Sequence, residues 1–101
     1  MRLKPGVRIR GLRSEAWFAF YAADEVYKEY GAEAVMTGGL EGKHSRGSIH
    51  YSGGAIDLRT NNVNKRHWEI IRDKIKERIG ADFDVILEKD HMHVEYQPKV
   101  E

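Results

Sequence analysis

The chain contains no cysteine, which excludes a disulfide framework and any thiolate-bound metal, and leaves the redox compartment open. It has no apolar run approaching the roughly 18 residues of a membrane span. Neither sign of charge is in excess: 17 Lys and Arg stand against 16 Asp and Glu. That balance gives no overall argument for a polyanionic partner, and no nucleic acid is expected. The opening Met1-Arg2-Leu3-Lys4-Pro5 is basic but lacks the apolar segment of a secretory signal. The expectation is therefore a protein that is cytoplasmic as made and needs another system if it is to act outside the cell. Internal repeats and low-complexity segments are also missing.

What is present suits one domain over residues 1–101, with 41% hydrophobic and 33% charged residues, enough for one modest core and too short for two modules. The first thirteen residues carry Arg2, Lys4, Arg8, Arg10 and Arg13 without an acid, which reads as the guarded edge of a sheet. A strand is expected over 7–12. Ser14 then reads as a helix cap, and Trp17, Phe20, Tyr21, Ala23, Tyr27 and Tyr30 recur at helical spacing up to Gly31. A strand over 32–37 and a glycine-rich loop over 38–47 follow. A second helix is expected over 64–79, with Trp68, Ile71, Ile75 and Ile79 on one stripe and Gly80 as its stop. Phe83–Leu87 and His91–Tyr96 read as a closing hairpin around Glu88-Lys89-Asp90. This order predicts an α+β fold with a small antiparallel sheet, two helices on one face and a metal cleft on the other.

The segment with chemistry in it is Ser48-Ile49-His50-Tyr51-Ser52-Gly53-Gly54-Ala55-Ile56-Asp57, answered about thirty residues later by Asp90-His91-Met92-His93. It spells SxHxxGxAxD followed by HxH. His50, Asp57 and one histidine of the second pair make two imidazole nitrogens and one carboxylate, the donor set of a catalytic zinc site that leaves one position for water. In strands, side chains alternate between faces. Ala55, Asp57 and Arg59 thus share one face while Ile56 and Leu58 share the other; His91, His93 and Glu95 likewise oppose Met92, Val94 and Tyr96. Gly53 and Gly54 suit a tight turn returning His50 over Asp57, because glycine takes positive φ at no steric cost, and Ala55 leaves room beside a metal.

All five fixed letters of the first motif, Ser48, His50, Gly53, Ala55 and Asp57, together with the HxH, resemble the LAS metallopeptidases: lysostaphin-type enzymes, D-alanyl-D-alanine carboxypeptidases and dipeptidases, and the hedgehog signalling domain. The resemblance extends from about Ser14 onward. It implies the same α+β architecture and one Zn2+ held by His50, Asp57 and His93. It also implies a small zinc-dependent peptidoglycan peptidase of phage or prophage type, cleaving a D-Ala-D-Ala or L-Ala-D-Glu type bond after lysis-type release or as part of a virion. Relatives that end in ExxH place the base three residues before the last ligand, which here is Asp90; the hedgehog-type alternative is Glu88, one residue out of register. His91 would stabilise the oxyanion or shuttle a proton, and Ser48 would orient a ligating group.

One departure concerns specificity. Carboxypeptidases of the family carry an upstream arginine for the substrate carboxylate, whereas the corresponding stretch here is Thr37-Gly38-Gly39-Leu40-Glu41. Lys43, His44 or Arg46 are the replacements in the loop, with Arg59 in phase with Asp57 further along, and an endopeptidase is slightly favoured over an exopeptidase. Two other classes stay open. One is a hedgehog-like binding module that keeps zinc without catalysis; the other is a small HNH-like nuclease, suggested by Asp90-His91 and the basic start. No membrane partner is expected, and a monomer is assumed.

Overall fold

Two-residue alternation shapes the sheet. Ile56 and Leu58 on one strand and Met92 and Val94 on another are fully or almost fully buried, whereas Asp57, Arg59, His91 and His93 between them are half-buried on the opposite face. The computed structural model describes residues 1–40 and 53–98. Its sheet has five strands, β1 (Arg2–Leu3), β2 (Val35–Gly38), β3 (Ala55–Arg59), β4 (Phe83–Leu87) and β5 (His91–Tyr96), in the order β1-β2-β3-β5-β4. The apolar face is covered by α1 (Ser14–Lys28) and α2 (Trp68–Ile79), whose buried side chains form one core cluster with Ile56, Leu58, Met92 and Val94. The result is one compact α+β domain.

The sheet is mixed, which corrects the expectation of an antiparallel one. β1 pairs in parallel with β2, Arg2 opposite Val35 and Leu3 opposite Met36, while all other neighbours are antiparallel. The reason is connectivity: α1 lies between β1 and β2, and a helical crossover returns the chain in the same direction. The strand expected over 7–12 is not formed. Val7 and Ile9 do alternate, and together with Leu12 they pack partly buried against the core. Turns closed by Val7 N–H to Lys4 O (3.2 Å) and Leu12 N–H to Ile9 O (2.9 Å) break the segment, and Gly6 and Gly11 take positive φ.

Two details of α1 also differ. Arg13, not Ser14, stands at its N-cap, without a side-chain cap bond. The Arg13 carbonyl accepts from Ala16 and Trp17, and its N–H donates to Gly53 O at 2.9 Å, so the helix start is pinned to the entry of β3. The aromatic stripe is only half right: Phe20 and Tyr27 are buried, but Trp17 and Tyr21 are 37% and 56% exposed. Ala16, Ala19, Ala22 and Ala23 fill the inner face instead, and small side chains let α1 approach α2 and the sheet closely. Gly31, at φ +76, follows the last turn, with its N–H on Lys28 O at 3.2 Å.

The second half follows the sequence pattern closely. Asn64 accepts from Arg66 N–H at 3.1 Å and caps a short 3₁₀ turn, Lys65–His67, that runs into α2. Ile71, Ile75 and Ile79 are buried, and Gly80 ends the helix. β4 and β5 form the expected hairpin, closed by Glu88 N–H to His91 O at 2.8 Å.

Candidate functional site

The exposed face of β3 and β5 is where the candidate residues meet. Their antiparallel register sets Asp57 opposite His93, Arg59 opposite His91 and Ala55 opposite Glu95. Cross-strand partners have Cβ atoms roughly 5 Å apart, so pairing alone brings an acid and an imidazole from distant parts of the chain into contact. His93 Nδ1 lies 3.0 Å from Asp57 Oδ1, and His93 Nε2 lies 3.2 Å from Glu95 Oε1. His91 Nε2 is 3.8 Å from the same Asp57 oxygen, and His91 Nδ1 is 2.8 Å from Asp90 Oδ1.

Protonation follows from these partners. The hydrogen bond to Asp57 is the largest influence on His93 and raises its pKa, outweighing the opposite effect of burial, with Glu95 adding to the rise. Carboxylates on both sides favour the protonated imidazole, in which Nδ1–H would face Asp57 and Nε2–H would face Glu95. Asp90 is displaced the other way: its hydrogen bond with His91 holds the carboxyl below the ordinary carboxylate range. An ionised carboxylate only accepts, so His91 donates Nδ1–H to Asp90. In the neutral imidazole, Nε2 is then left with a lone pair near Asp57.

Asp57 has its position because of a glycine. The β2–β3 register shifts between Met36 and Gly38, so that Met36 faces Leu58 and Gly38 faces Asp57. A Cβ on Gly38 would lie 2.5 Å from Asp57 Oδ2 and 3.1 Å from its Cβ. Gly53 is similarly required: it has φ +79, and a Cβ there would strike the carbonyl oxygen of Gly11. This agrees with its expected place in a turn.

A pocket of about 350 Å³ opens beside Asp57. Asp90, His91 and Arg59 line it together with Lys4 and Thr37, which the sequence reading had not placed there. Lys4 follows β1, and its N–H donates to Met36 O at 2.9 Å; no local sequence signal marks that parallel pairing. Glu95, in phase with His93 in the sequence, is a further member of the site, its Oε1 3.2 Å from His93 Nε2. Glu88 is not among the residues lining the pocket. Of the other expected site residues, His50, Ser48, His44, Arg46 and Lys43 lie outside the described residues. Among the described residues no three acid or imidazole groups form a complete metal-holding set.

The donor chemistry present nevertheless suits a divalent ion. Ligand atoms at about 2.0 Å from a tetrahedral zinc stand roughly 3.3 Å apart, and Asp57 Oδ1 to His93 Nδ1 is 3.0 Å. A metal would take the place of the Nδ1 proton, and Glu95 would keep Nε2–H, the arrangement of a carboxylate behind a ligating histidine. In comparison with known proteins, no family model and no curated protein sequence matches the chain.

Proposed function

We propose that this domain is a zinc-dependent amide hydrolase. More particularly, it is a peptidase of bacterial peptidoglycan that cuts a bond of the stem or crosslink peptide and reaches the wall by lysis-type release or within a virion. The observation that carries the reading is the Asp57–His93 pair: two of the three ligands implied by SxHxxGxAxD and HxH face each other across β3 and β5 at 3.0 Å. Among the described residues no helix is long and apolar enough to cross a membrane.

His50, Asp57 and His93 would hold the ion, which when bound supplies a water acidified to a pKa of about 7 and a Lewis acid for the carbonyl. The remaining work falls to the chain. Glu95 accepts Nε2–H of His93 and so presents Nδ1 towards Asp57. Asp90 accepts Nδ1–H of His91 and leaves Nε2 as the basic atom beside Asp57. The pair takes a proton from the attacking water at His91 Nε2 or an Asp90 oxygen and returns it to the leaving amine nitrogen. Protonated His91 also sets a positive charge near the carbonyl oxygen as that oxygen gains charge.

The test is metal content together with wall cleavage. Purified protein is expected to hold close to one zinc per chain, with most of it lost in Asp57→Ala and His93→Ala, and to release peptide fragments of defined mass from purified peptidoglycan. Full zinc retention in His93→Ala with loss in His91→Ala would reverse the roles of the two histidines. Zinc binding without fragments, unaffected by Asp90 or His91, would instead fit the non-catalytic binding module.

A further inference from the structure

We infer that Lys4 and Arg59 form a subsite for a substrate carboxylate in the pocket beside Asp57 and His91. The inference rests on the peptidase reading, which makes the anion a peptide carboxylate. The pocket brings together four formal charges besides His91: Lys4, Arg59, Asp57 and Asp90. The two acids are engaged, Asp57 with His93 at 3.0 Å and Asp90 with His91 at 2.8 Å. The two cations form no ion pair with any described residue, whereas others, such as Arg2, Lys28, Lys74 and Arg78, do. Two unpaired cations of different elements converging on one concavity repel each other, and that arrangement is relieved by an anion between them. Thr37 adds a hydroxyl to the same wall.

Placement limits which carboxylate fits. Arg59 stands two residues from Asp57 on the same face of β3, and a strand rises about 3.4 Å per residue. The Arg59 side chain therefore leaves the strand roughly 7 Å along from that of Asp57, a span covered by about two residues of an extended peptide. A carboxylate bound there lies within one or two residues of the cleaved bond, either the terminal carboxylate of the chain or the α-carboxylate of a γ-linked D-glutamate. Arg59 can meet it with two parallel N–H donors, and Lys4 acts as a point charge. The pair supplies, from the residue after β1 and from β3, the cation that the upstream stretch at Thr37-Gly38-Gly39-Leu40-Glu41 lacks.

Three probes separate the possibilities in the intact protein by titration followed through backbone amide shifts, a readout independent of turnover. They are N-acetyl-D-Ala-D-Ala, its C-terminal amide, and an L-Ala-γ-D-Glu peptide amidated at its C-terminus so that its only carboxylate is the D-Glu α-carboxyl. The expected result is that one carboxylate probe shifts Thr37 and Arg59, that the amide of the first binds at least about tenfold more weakly, and that Lys4→Ala and Arg59→Gln each weaken binding by about tenfold, the scale of one hydrogen bond to a charged group. Preference between the first and third probes identifies the terminal or the side-chain source. Binding of the amide equal to that of the preferred carboxylate probe, binding of that probe undiminished in the Lys4→Ala/Arg59→Gln double variant, or no binding of either carboxylate probe overturns the subsite. Any of these results leaves wall cleavage by the same protein preparation as the separate measure of the peptidase reading. Both residues are at least partly exposed, and unchanged circular dichroism of the variants checks that the fold is kept.

Discussion

At the scale of single residues, Asp57 is the hinge of the site. One of its oxygens lies within 4 Å of both His91 Nε2 and His93 Nδ1, yet the two imidazoles differ in what stands behind them. His93 is backed by Glu95, which is largely buried, and His91 by Asp90, whose side chain is 86% exposed. A buried carboxylate locks a ring in place, whereas an exposed one lets protons exchange with solvent. Under the proposed function, this contrast suits His93 to holding the ion and His91 to moving the proton. Asp90→Asn is expected to keep the fold and the zinc and to lower turnover on peptidoglycan fragments by about 10²-fold. With Asp90 and His91 proposed to share the proton as one unit, the double variant Asp90→Asn/His91→Ala should be little worse than either single change. Losses that multiply, or a comparable loss in Glu88→Gln alone, would show that the pair does not share the proton.

Among the secondary-structure elements, β2 governs the site without contributing a reactive group. Its slip in register opposite β3 places Gly38 against the Asp57 carboxylate, closer than any Cβ could come. Gly38→Ala is therefore expected to displace the short Asp57 side chain rather than unfold the sheet. Zinc content and wall cleavage should fall by tenfold or more while the thermal midpoint moves by only a few degrees, since about 1 kcal/mol corresponds to roughly 4–8 °C in a domain of this size. A variant that melts far earlier, or one that keeps its full zinc, would contradict this account. From the other side, Tyr27 on α1 donates its hydroxyl to Arg59 O at 2.6 Å. That bond ties the end of β3, and with it the Arg59 side chain, to the helix layer, and burial pushes the phenol pKa well up.

On the scale of the whole molecule, the radius of gyration of 12.6 Å is that of one tightly packed domain of about 100 residues. The mixed sheet holds together across α1 partly through Asp24. This buried carboxylate accepts from Ala34 N–H at 3.1 Å and pairs with Lys28 at 2.9 Å, joining the helix to the segment that enters β2. Burial on its own would raise the Asp24 pKa, but the bonds from Lys28 and Ala34 together with the N-terminal ammonium of Met1 outweigh it and the net shift is downward. A carboxyl lowered in the folded state adds stability that is present above its unfolded value, near 3.9, and disappears as pH falls through the folded value. Asp24→Ala also strands the Ala34 N–H, so it should cost about 1–3 kcal/mol at pH 7 in urea unfolding. The gap to the unchanged protein should narrow below pH 4; a gap that is constant down to pH 2 would remove Asp24 from the acid response.

Much of this was determined by the sequence alone, because alternation and helical spacing act between near neighbours. The β4–β5 hairpin, the buried stripe of α2 and its stop at Gly80, and the alternation that sets Asp57 with Arg59 and His91 with His93 all follow from such short periods. The same periods misled over 7–12, where alternating residues pack on the core through turns instead of pairing, and on α1, where bulky residues mimic a buried stripe that alanines actually fill. Only the tertiary structure decided the parallel β1–β2 pair, the place of Lys4 beside the candidate site and the need for Gly38 under Asp57. The first and third join residues 19 or more positions apart, and Lys4 meets Asp57 across a still longer stretch. No local preference encodes which strand lies next to which, since that is set by how the crossover helix packs and by which side chains the neighbouring strand leaves room for.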